Sequence, residues 1–407
     1  MIVPGSVLGL NGAVAPSNRI VFAGIGVGGR ARAVMPNFLG FKEVQYAAVS
    51  ECRADRLASA KVLVDTHYAN KDCRTYADFR ELLAQKDIDA VFIATGDRWH
   101  ATASIYAAQA GKDIYSEKPI TLTIGEGRAL VDACRRYGTI YQAGTQRRST
   151  DSYRFAREMV RQGKIGRLHT VEIQVWEDRP IPHGRPEPVP AGWDYDRWLG
   201  PVQWRPFVPA RANNWNYFWD TGAGAILGMG SHYTDQMQWV LGRDHAGPVE
   251  FDTQGEFPDP VKFMSETPTT AVARCRYADG ITGIMYQRKK FQERYIRYIG
   301  DEGWIQVDDQ TDEVTADPKS ILSLKTVGGT SWADASSHIR NLLDSMRSRT
   351  PTVCNPEAAH RAQTIGLAMD ISLRLGRKLD WDPVKERFNC EEANRMIWRT
   401  PRAPWRI

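Results

Sequence analysis

A glycine-rich turn after an apolar strand is the feature that most constrains the fold of this chain. The apolar, β-branched run 20–25 leads directly into a Gly-x-Gly-x-x-Gly pattern formed by Gly24, Gly26 and Gly29. In a strand–turn–helix unit the first glycine permits the tight turn, and the second lets the backbone approach a pyrophosphate. The third lets the helix pack closely on the strand. The same pattern also occurs in turns that bind no ligand, so the neighbouring sequence must show whether this one binds a dinucleotide.

A second apolar strand ends in a carboxylate at the separation that this fingerprint requires. Glu51 follows the run 45–50, about 20 residues after the glycines, where a carboxylate binds the hydroxyls of the adenine ribose. The same carboxylate repels a 2′-phosphate, so the sequence predicts NAD, with NADP as the less favoured cofactor. Arg53 weakens this preference because an arginine can pair with a phosphate.

Composition is typical of an ordinary globular protein. The chain has 407 residues, of which 42% are hydrophobic and 25% charged, and its length suggests about two domains. Its net charge of +5 is scattered without a long basic run, so nucleic-acid binding is not predicted. No apolar run reaches the roughly 18 residues of a membrane span. The six cysteines lie far apart, and neither a disulfide scaffold nor a metal site is predicted.

Residues 1–17 differ from the rest of the chain. They are small and apolar, interrupted by proline and glycine, and they have no helical or strand period. They are similar to the end of a secretory leader with a signal-peptidase site. Two alternatives stay open: export to the periplasm, with a start upstream of Met1, or a flexible arm on a cytoplasmic protein.

Short strands and helical stretches alternate from residue 18 to 146. Short, mainly apolar runs of four to six residues without polar alternation are typical of strands buried on both faces of a parallel sheet. Five are predicted: 19–24, 45–50, 89–94, 112–116 and 139–143. Thr123 and Glu126 have the spacing of a capping box at the start of a helix. The alternation predicts a doubly wound parallel sheet of the Rossmann type.

A different pattern follows after about residue 150. The strand around 171–175 alternates apolar and polar residues, and Asp279-Gly280 predicts a hairpin between two later strands. Between the strand around 171–175 and this hairpin, the segment 177–224 is rich in proline and tryptophan, which predicts a long loop region. Strands with hairpins indicate an antiparallel or mixed sheet with one covered face.

Three polar segments follow strands of the predicted parallel sheet, where ligands bind in such folds. They are the segments 94–100, 116–119 and 144–148. Lys118, at a strand end beside a nicotinamide, can move the proton of a substrate hydroxyl, and burial lowers a lysine pKa towards neutrality. The alternative is that Glu117 and Lys118 form a solvated charged pair.

Several motifs occur together in the order of one enzyme family. They are the glycine pattern, Glu117-Lys118-Pro119, the segments 144–149, 193–194, 198–201, 218–222 and 230–235, the region around 300–304, and the segment 375–379. With these motifs the chain resembles the Gfo/Idh/MocA oxidoreductases, the family of glucose–fructose oxidoreductase and inositol dehydrogenase. The resemblance extends from residue 19 to about residue 383.

The resemblance implies a fold, a chemistry and a catalytic pair. It implies an α/β protein with an N-terminal Rossmann domain and a C-terminal α/β domain. The second domain has a large, open, mainly antiparallel mixed sheet, through which homodimers or homotetramers form. Hydride would move between NAD or NADP and a carbon of a sugar or cyclitol. Lys118 matches the catalytic lysine and His232 the active-site histidine. Many members carry an aspartate where this chain has Gly228, so Asp220, Asp235 or a backbone carbonyl is expected to orient the imidazole.

The predicted divisions and site residues follow from these motifs. The divisions are a leader-like arm 1–17, a nucleotide-binding domain 18–146, a substrate-binding and oligomerisation domain 147–383, and a C-terminal tail 384–407. The predicted cofactor-binding residues are Gly24, Gly26, Val27, Gly28, Gly29, Arg30, Glu51, Arg53, Thr95, Trp99, His100, Glu117, Lys118, Gln146 and Arg148. The predicted substrate contacts are Lys118, Arg148, Trp215, Asp220, His232 and Asp235. Trp99 and His100 would flank the nicotinamide, with ordinary packing as the alternative.

Three functions are compatible with these residues. The first is an NAD-dependent dehydrogenase or reductase of a sugar, glycoside or cyclitol. The second is a glycoside-cleaving enzyme that oxidises a ring hydroxyl, eliminates the aglycone, adds water and reduces the ring again with the same nicotinamide. Net turnover of the cofactor separates these two. The third is a non-catalytic sensor, against which the presence of both Lys118 and His232 argues.

Overall fold

Two β-sheets with helices packed against them organise the protein. The computed structural model describes residues 14–288, 293–324, 331 and 333–407. Residues 1–13, which hold most of the predicted leader-like arm, lie outside the described residues. The described end of the arm leads into a short 3₁₀ turn, Pro16–Asn18.

Six parallel strands form the first sheet. They are β1 Ile20–Ile25, β2 Val44–Ser50, β3 Arg74–Tyr76, β4 Ala90–Ile93, β5 Asp113–Ser116 and β6 Tyr141–Ala143. Their order, β3-β2-β1-β4-β5-β6, is that of a doubly wound dinucleotide-binding sheet. The five predicted strands are present within two residues of their expected ends. The predicted Rossmann architecture is confirmed, with β3 as an additional edge strand.

Helices cover both faces of this sheet. They are α1 Gly29–Leu39, α2 Ala54–Tyr68, α3 Phe79–Leu83, α4 His100–Gln109 and α5 Ile124–Tyr137. At the start of α5, the Thr123 hydroxyl accepts a hydrogen bond from the Glu126 N–H, as the capping box predicts. The Glu126 carboxyl does not return this bond to the Thr123 N–H. It accepts hydrogen bonds from the hydroxyls of Thr121 and Thr123 instead.

Nine strands form the second sheet. They are β7 Leu168–Val175, β8 Glu250–Glu256, β9 Thr270–Arg276, β10 Thr282–Gln287, β11 Tyr295–Gly300, β12 Gly303–Asp308, β13 Val314–Asp317, β14 Leu379–Asp382 and β15 Arg387–Phe388. Their order is β13-β12-β11-β7-β10-β9-β8-β14-β15. Among the described pairs β7 and β10 are parallel, and the others are antiparallel. The mixed, mainly antiparallel sheet is therefore confirmed.

The remaining helices come after β6 in the chain, and several of them pack on the second sheet. They are α6 Asp151–Arg161, α7 Tyr195–Leu199, α8 Pro209–Asn213, α9 Gly224–Gly228, α10 Gly230–Leu241, α11 Ser336–Ser348, α12 Pro356–Leu375 and α13 Glu391–Arg395. The predicted inward face of β7, with Val171, Ile173 and Val175, is buried against them. At the predicted hairpin Gly280 has φ of 92°, a left-handed conformation that glycine adopts without strain.

The predicted tail 384–407 is part of the fold, which corrects that boundary. β15 pairs with β14 at the edge of the second sheet. Further on, the Trp405 ring is 3% exposed and packs at the first domain against Trp99 and Phe79. Helix α11 also joins the core of the first sheet, next to α1. Both segments come late in the chain, and they pack on the first domain because their apolar side chains are buried there.

Two further observations concern the described residues only. No helix among them is long and apolar enough to cross a membrane. Nor do they contain a group of three His, Cys, Asp or Glu side chains that could hold a metal ion.

Candidate functional site

The glycine turn opens a cleft at the carboxyl ends of β1, β2 and β4. Gly26 has φ of +75°, and a Cβ there would lie 2.6 Å from the Thr95 Cα, so this position requires glycine. A Cβ on Gly29 would meet nothing within 4 Å. The expectation that the third glycine permits close helix packing is therefore wrong: it leaves the N-terminus of α1 open to the cleft. Gly24 lies within β1 and is confined by the Tyr46 hydroxyl, so it does not form the turn.

The cleft has the shape and chemistry of a dinucleotide site. Its volume is about 230 Å³. The lining includes Gly26, Gly28, Gly29, Arg30, Glu51, Cys52, Arg56, Thr95, Gly96, Arg98, Trp99, Trp215 and Trp405. The first N–H groups of a helix have no carbonyl partner inside the helix, and here they face the cleft together with Arg30. These residues fit the phosphates and the ribose of NAD or NADP.

The carboxylate of Glu51 is held at the edge of this cleft by backbone N–H groups. Val27 donates to its Oε2 at 3.1 Å, and Arg53 donates to its Oε1 at 3.2 Å. The Val27 side chain is fully buried, so this residue supports the Glu51 carboxylate through its backbone, and its predicted contact with the cofactor stays a prediction.

The Arg53 side chain turns away from the nucleotide cleft. It pairs with Asp55 and stacks on Trp193, beside a separate cavity. Arg56, which sequence reasoning missed, lines the cleft instead, with Nη1 3.2 Å from the position of a Cβ on Gly28.

Lys118 leaves β5 and reaches across to the second domain. Its Nζ donates a 2.7 Å hydrogen bond to the carbonyl oxygen of Gly228, at the end of α9. Burial lowers the pKa of Lys118, while the nearby carboxyl groups of Glu117 and Asp97 oppose that shift. Glu117 is bound by Arg30 at 2.8 Å, so part of its charge is already compensated. The Lys118 side chain therefore lies between the two domains.

His232 lies in the first turn of α10, four residues after Gly228. The ring is 5% exposed, and its Nδ1 is buried without a hydrogen-bond partner. Burial, reinforced by the positive charges of Arg147 and Lys118, lowers its pKa well below the ordinary value. The imidazole is therefore neutral near pH 7. It is free to exchange a hydrogen bond with a substrate hydroxyl.

Neither aspartate expected to orient this histidine does so. Asp235 is bound by Arg148 at 2.7 Å. Asp220 is bound by Arg205 and Arg211 and lies at a different cavity. The expectation for the two aspartates was wrong because arginines already engage both carboxylates: Arg148 is 87 residues from Asp235, and Arg205 and Arg211 are 15 and 9 residues from Asp220. The third alternative, a backbone carbonyl, stays a prediction.

Arg148 is a structural residue and not a ligand of the cofactor or the substrate. It is fully buried, and its guanidinium also donates to Asp244 and to the carbonyl oxygen of Val353 at 2.9 Å. All three of its nitrogens are used. The predicted roles of Arg148 and Asp235 at the ligand are corrected accordingly.

Some of the other predicted residues line the cleft, and others hold neighbouring loops in place. The ring nitrogens of His100 contact the carbonyl oxygens of Pro119 at 2.7 Å and Thr95 at 3.2 Å. His100 therefore ties two site loops together, which favours its packing alternative. Trp99 lines the cleft and anchors its Nε1 on the Arg197 carbonyl. Gln146 lies beside the Tyr115 hydroxyl, in the layer behind Lys118.

Two residues of the loop after β4 were missed, although their segment was identified. Asp97 is 8% exposed, and burial raises its pKa to about 7, against the attraction of Lys118 and Arg98. Arg98 lines the cleft and stacks on Trp198, 3.8 Å from the ring centroid. No spacing rule singles out either residue. Their position after a buried parallel strand was the available signal.

Comparison with known families matches both domains. Residues 19–145 match the NAD-binding Rossmann fold of the oxidoreductase family, and residues 175–407 match its C-terminal alpha/beta domain. The chain belongs to the Gfo/Idh/MocA oxidoreductase family. Residues 19–145 are accordingly its NAD(P)-binding domain, and the predicted family resemblance is confirmed.

Individual relatives are distant. The chain is 26% identical over 264 residues to the rhizopine catabolism protein MocA of Rhizobium meliloti, covering 65% of this chain and 68% of that protein. It is 26% identical to 1,5-anhydro-D-fructose reductase of Ensifer adhaerens, over 43% of this chain and 44% of that protein.

Among solved structures, the WlbA dehydrogenase of Bordetella pertussis, in complex with NADH and UDP-GlcNAcA, shares the fold. Its TM-score is 0.68 at 19% identity, over 90% of this chain and 98% of that one.

Proposed function

We propose that this protein is an NAD-dependent oxidoreductase that transfers hydride between the nicotinamide and a hydroxyl-bearing carbon of a sugar, glycoside or cyclitol. The observation that carries the proposal is the convergence of Lys118 and His232 at the junction of the two domains. Lys118 is anchored on the Gly228 carbonyl, four residues before His232. Relatives that are named for inositol and for anhydrosugars support the substrate class.

Each side chain has a defined task in this proposal. Bound nicotinamide supplies the hydride donor or acceptor. Lys118, whose pKa is lowered by burial, takes the hydroxyl proton during oxidation and returns it during reduction. His232 is held neutral by its surroundings and accepts a hydrogen bond from the same or a neighbouring hydroxyl. Glu51 binds the ribose hydroxyls at the other end of the cleft.

Lys118→Met tests the proposal. A methionine keeps the length and apolar body of the side chain but cannot move a proton. We expect turnover to fall by roughly 10²–10⁴-fold while binding of NADH stays nearly unchanged. Lys112→Met, in the same sheet and directed at the Gln85 and Ile88 carbonyls, is a matched lysine control that should leave kcat unchanged.

The readouts separate redox turnover from other outcomes. Turnover is followed as NADH absorbance with a panel of sugars and cyclitols, alongside release of a nitrophenol aglycone from glycosides. Near-normal turnover of Lys118→Met would show that the lysine is only a charge at a strand end. Aglycone release without net NADH formation would reassign the reaction to glycoside cleavage.

A further inference from the structure

A second cavity adjoins the nucleotide cleft and shares Arg98 with it. Its volume is about 350 Å³. Its walls come from three parts of the chain: Thr123 before α5, Trp219 in the long loop, and Arg399 in the C-terminal segment. Thr123 lies five residues after Lys118. Asp97, whose carboxyl group acts electrostatically on Lys118, is the chain neighbour of Arg98, and Arg98 lines both cavities.

Two arginines of this cavity form no ion pair with a carboxylate in the described part of the chain, although carboxyl groups farther away, among them Asp220, act on both. Arg98 is 5% exposed, its Nε donates to the Trp198 carbonyl at 2.7 Å, and its buried Nη1 has no partner. Arg399 donates through Nη1 to the Trp219 carbonyl at 2.6 Å, and its buried Nε has no partner. Among the described residues, no carboxylate oxygen lies within 4.0 Å of either guanidinium.

The neighbouring arginines are compensated, which makes these two distinct. Arg205 is paired with Asp220, and Arg374 is paired with Asp370 at 2.8 Å. Glu126, also on the wall, accepts hydrogen bonds from two threonine hydroxyls. Burial raises its pKa, and the positive charge of Arg399 opposes that shift. The wall thus carries four arginines against the three carboxyl groups of Glu126, Asp220 and Glu266, and Arg98 and Arg399 are the two arginines without an ion-pair partner among the residues that the structure describes.

Both guanidinium groups are held in fixed orientations by indole rings. Arg98 lies 3.8 Å from the centroid of Trp198, and Arg399 lies 3.8 Å from that of Trp219. A stacked guanidinium keeps its edge donors available for a planar or tetrahedral anion. A buried charge without an ion-pair partner is unfavourable, so an anion bound between these two groups would offset that cost.

We propose that this cavity is a subsite for an anionic group, namely a carboxylate, phosphate or sulfate, carried by the substrate. The role as a substrate subsite rests on the oxidoreductase function proposed above. Anion binding itself requires no turnover, so the two proposals can fail separately. The substrate class narrows accordingly to acidic sugars, such as uronates and sugar phosphates or sulfates.

Calorimetric titration of the complete, NADH-loaded protein tests the subsite. The probes are sodium D-glucuronate, sodium sulfate and neutral D-glucose, with ionic strength matched by sodium chloride. We expect glucuronate to bind more tightly than sulfate, and glucose to bind far more weakly. Arg399→Gln should weaken glucuronate binding roughly tenfold, as expected when a charge-assisted bidentate contact is lost. Arg395→Gln, an exposed arginine of the same segment, is the matched control and should bind as the wild type does.

Each remaining outcome decides against part of the proposal. Equal anion affinities in wild type and Arg399→Gln, or no binding of either anion to wild type, would overturn the subsite. Sulfate binding more tightly than glucuronate would assign a free inorganic anion and overturn the substrate role. If Arg399→Gln does not fold, crystals of wild-type protein soaked in selenate give the answer. The anomalous signal must lie between Arg98 and Arg399, and its absence there refutes the site.

Discussion

Replacing Asp97 with asparagine is expected to stabilise the protein increasingly as the pH rises. Asp97 is nearly buried at the end of β4, and burial raises its pKa from the ordinary 3.8 to about 7. Because its pKa is higher there, the carboxyl binds its proton more tightly in the folded state than in the unfolded state. The stability that the protonated carboxyl contributes is therefore lost as the pH rises from the unfolded-state pKa to the folded-state pKa. The difference corresponds to about 4 kcal/mol, at about 1.36 kcal/mol per pH unit.

Urea unfolding of wild type and Asp97→Asn at several pH values measures this effect. The gain in unfolding free energy for Asp97→Asn should be small near about pH 4, grow through about pH 6, and level off above about pH 8 at up to about 4 kcal/mol. Asp132→Asn, on an exposed face of α5, is the control and should show no such trend. A gain that is constant with pH, or largest in acid, would refute the reasoning.

The same variant also tests the coupling of Asp97 to Lys118. The Asp97 carboxylate raises the lysine pKa, so its removal should lower that pKa further. We expect the Lys118 limb of the kcat/KM profile of Asp97→Asn to move to lower pH. An unmoved limb would show that Asp97 does not act on the lysine.

Further predictions concern the cofactor, the core, the assembly and the compartment. NADH should bind more tightly than NADPH in fluorescence titrations because Glu51 repels a 2′-phosphate; tighter NADPH binding would contradict this and point to Arg56. Arg148→Met should lower the unfolding free energy by about 3–5 kcal/mol, because it leaves Asp235 buried without its partner; a loss within error would refute that pairing role. Light scattering is expected to show a homodimer or homotetramer formed through the second sheet; a monomer would contradict this. Export directed by residues 1–17 is tested by cell fractionation, where a full-length cytoplasmic protein would contradict it.

Prediction from sequence succeeded where burial is uniform along an element. β4 and β5 are buried at every position and β1 at its last four, and none of them alternates buried with exposed residues, as is typical of strands covered on both faces. β3 was missed because it has only three residues, which are partly exposed at the sheet edge. The tail after residue 384 was missed because Trp405 packs on a domain formed by the other end of the chain.

By itself, the sequence indicated the alternation of strands and helices in the first domain, the glycine turn and the family, and it singled out Lys118 and His232. These depend on local periodicity or on motifs of fixed spacing. Only the tertiary structure decided which charges are paired and which are not. Arg148 is neutralised by Asp235, 87 residues away, whereas Arg98 and Arg399 line one cavity and neither forms an ion pair there with a described residue. Spacing cannot reveal such partners, because side chains far apart in the chain become neighbours only through packing of the whole fold.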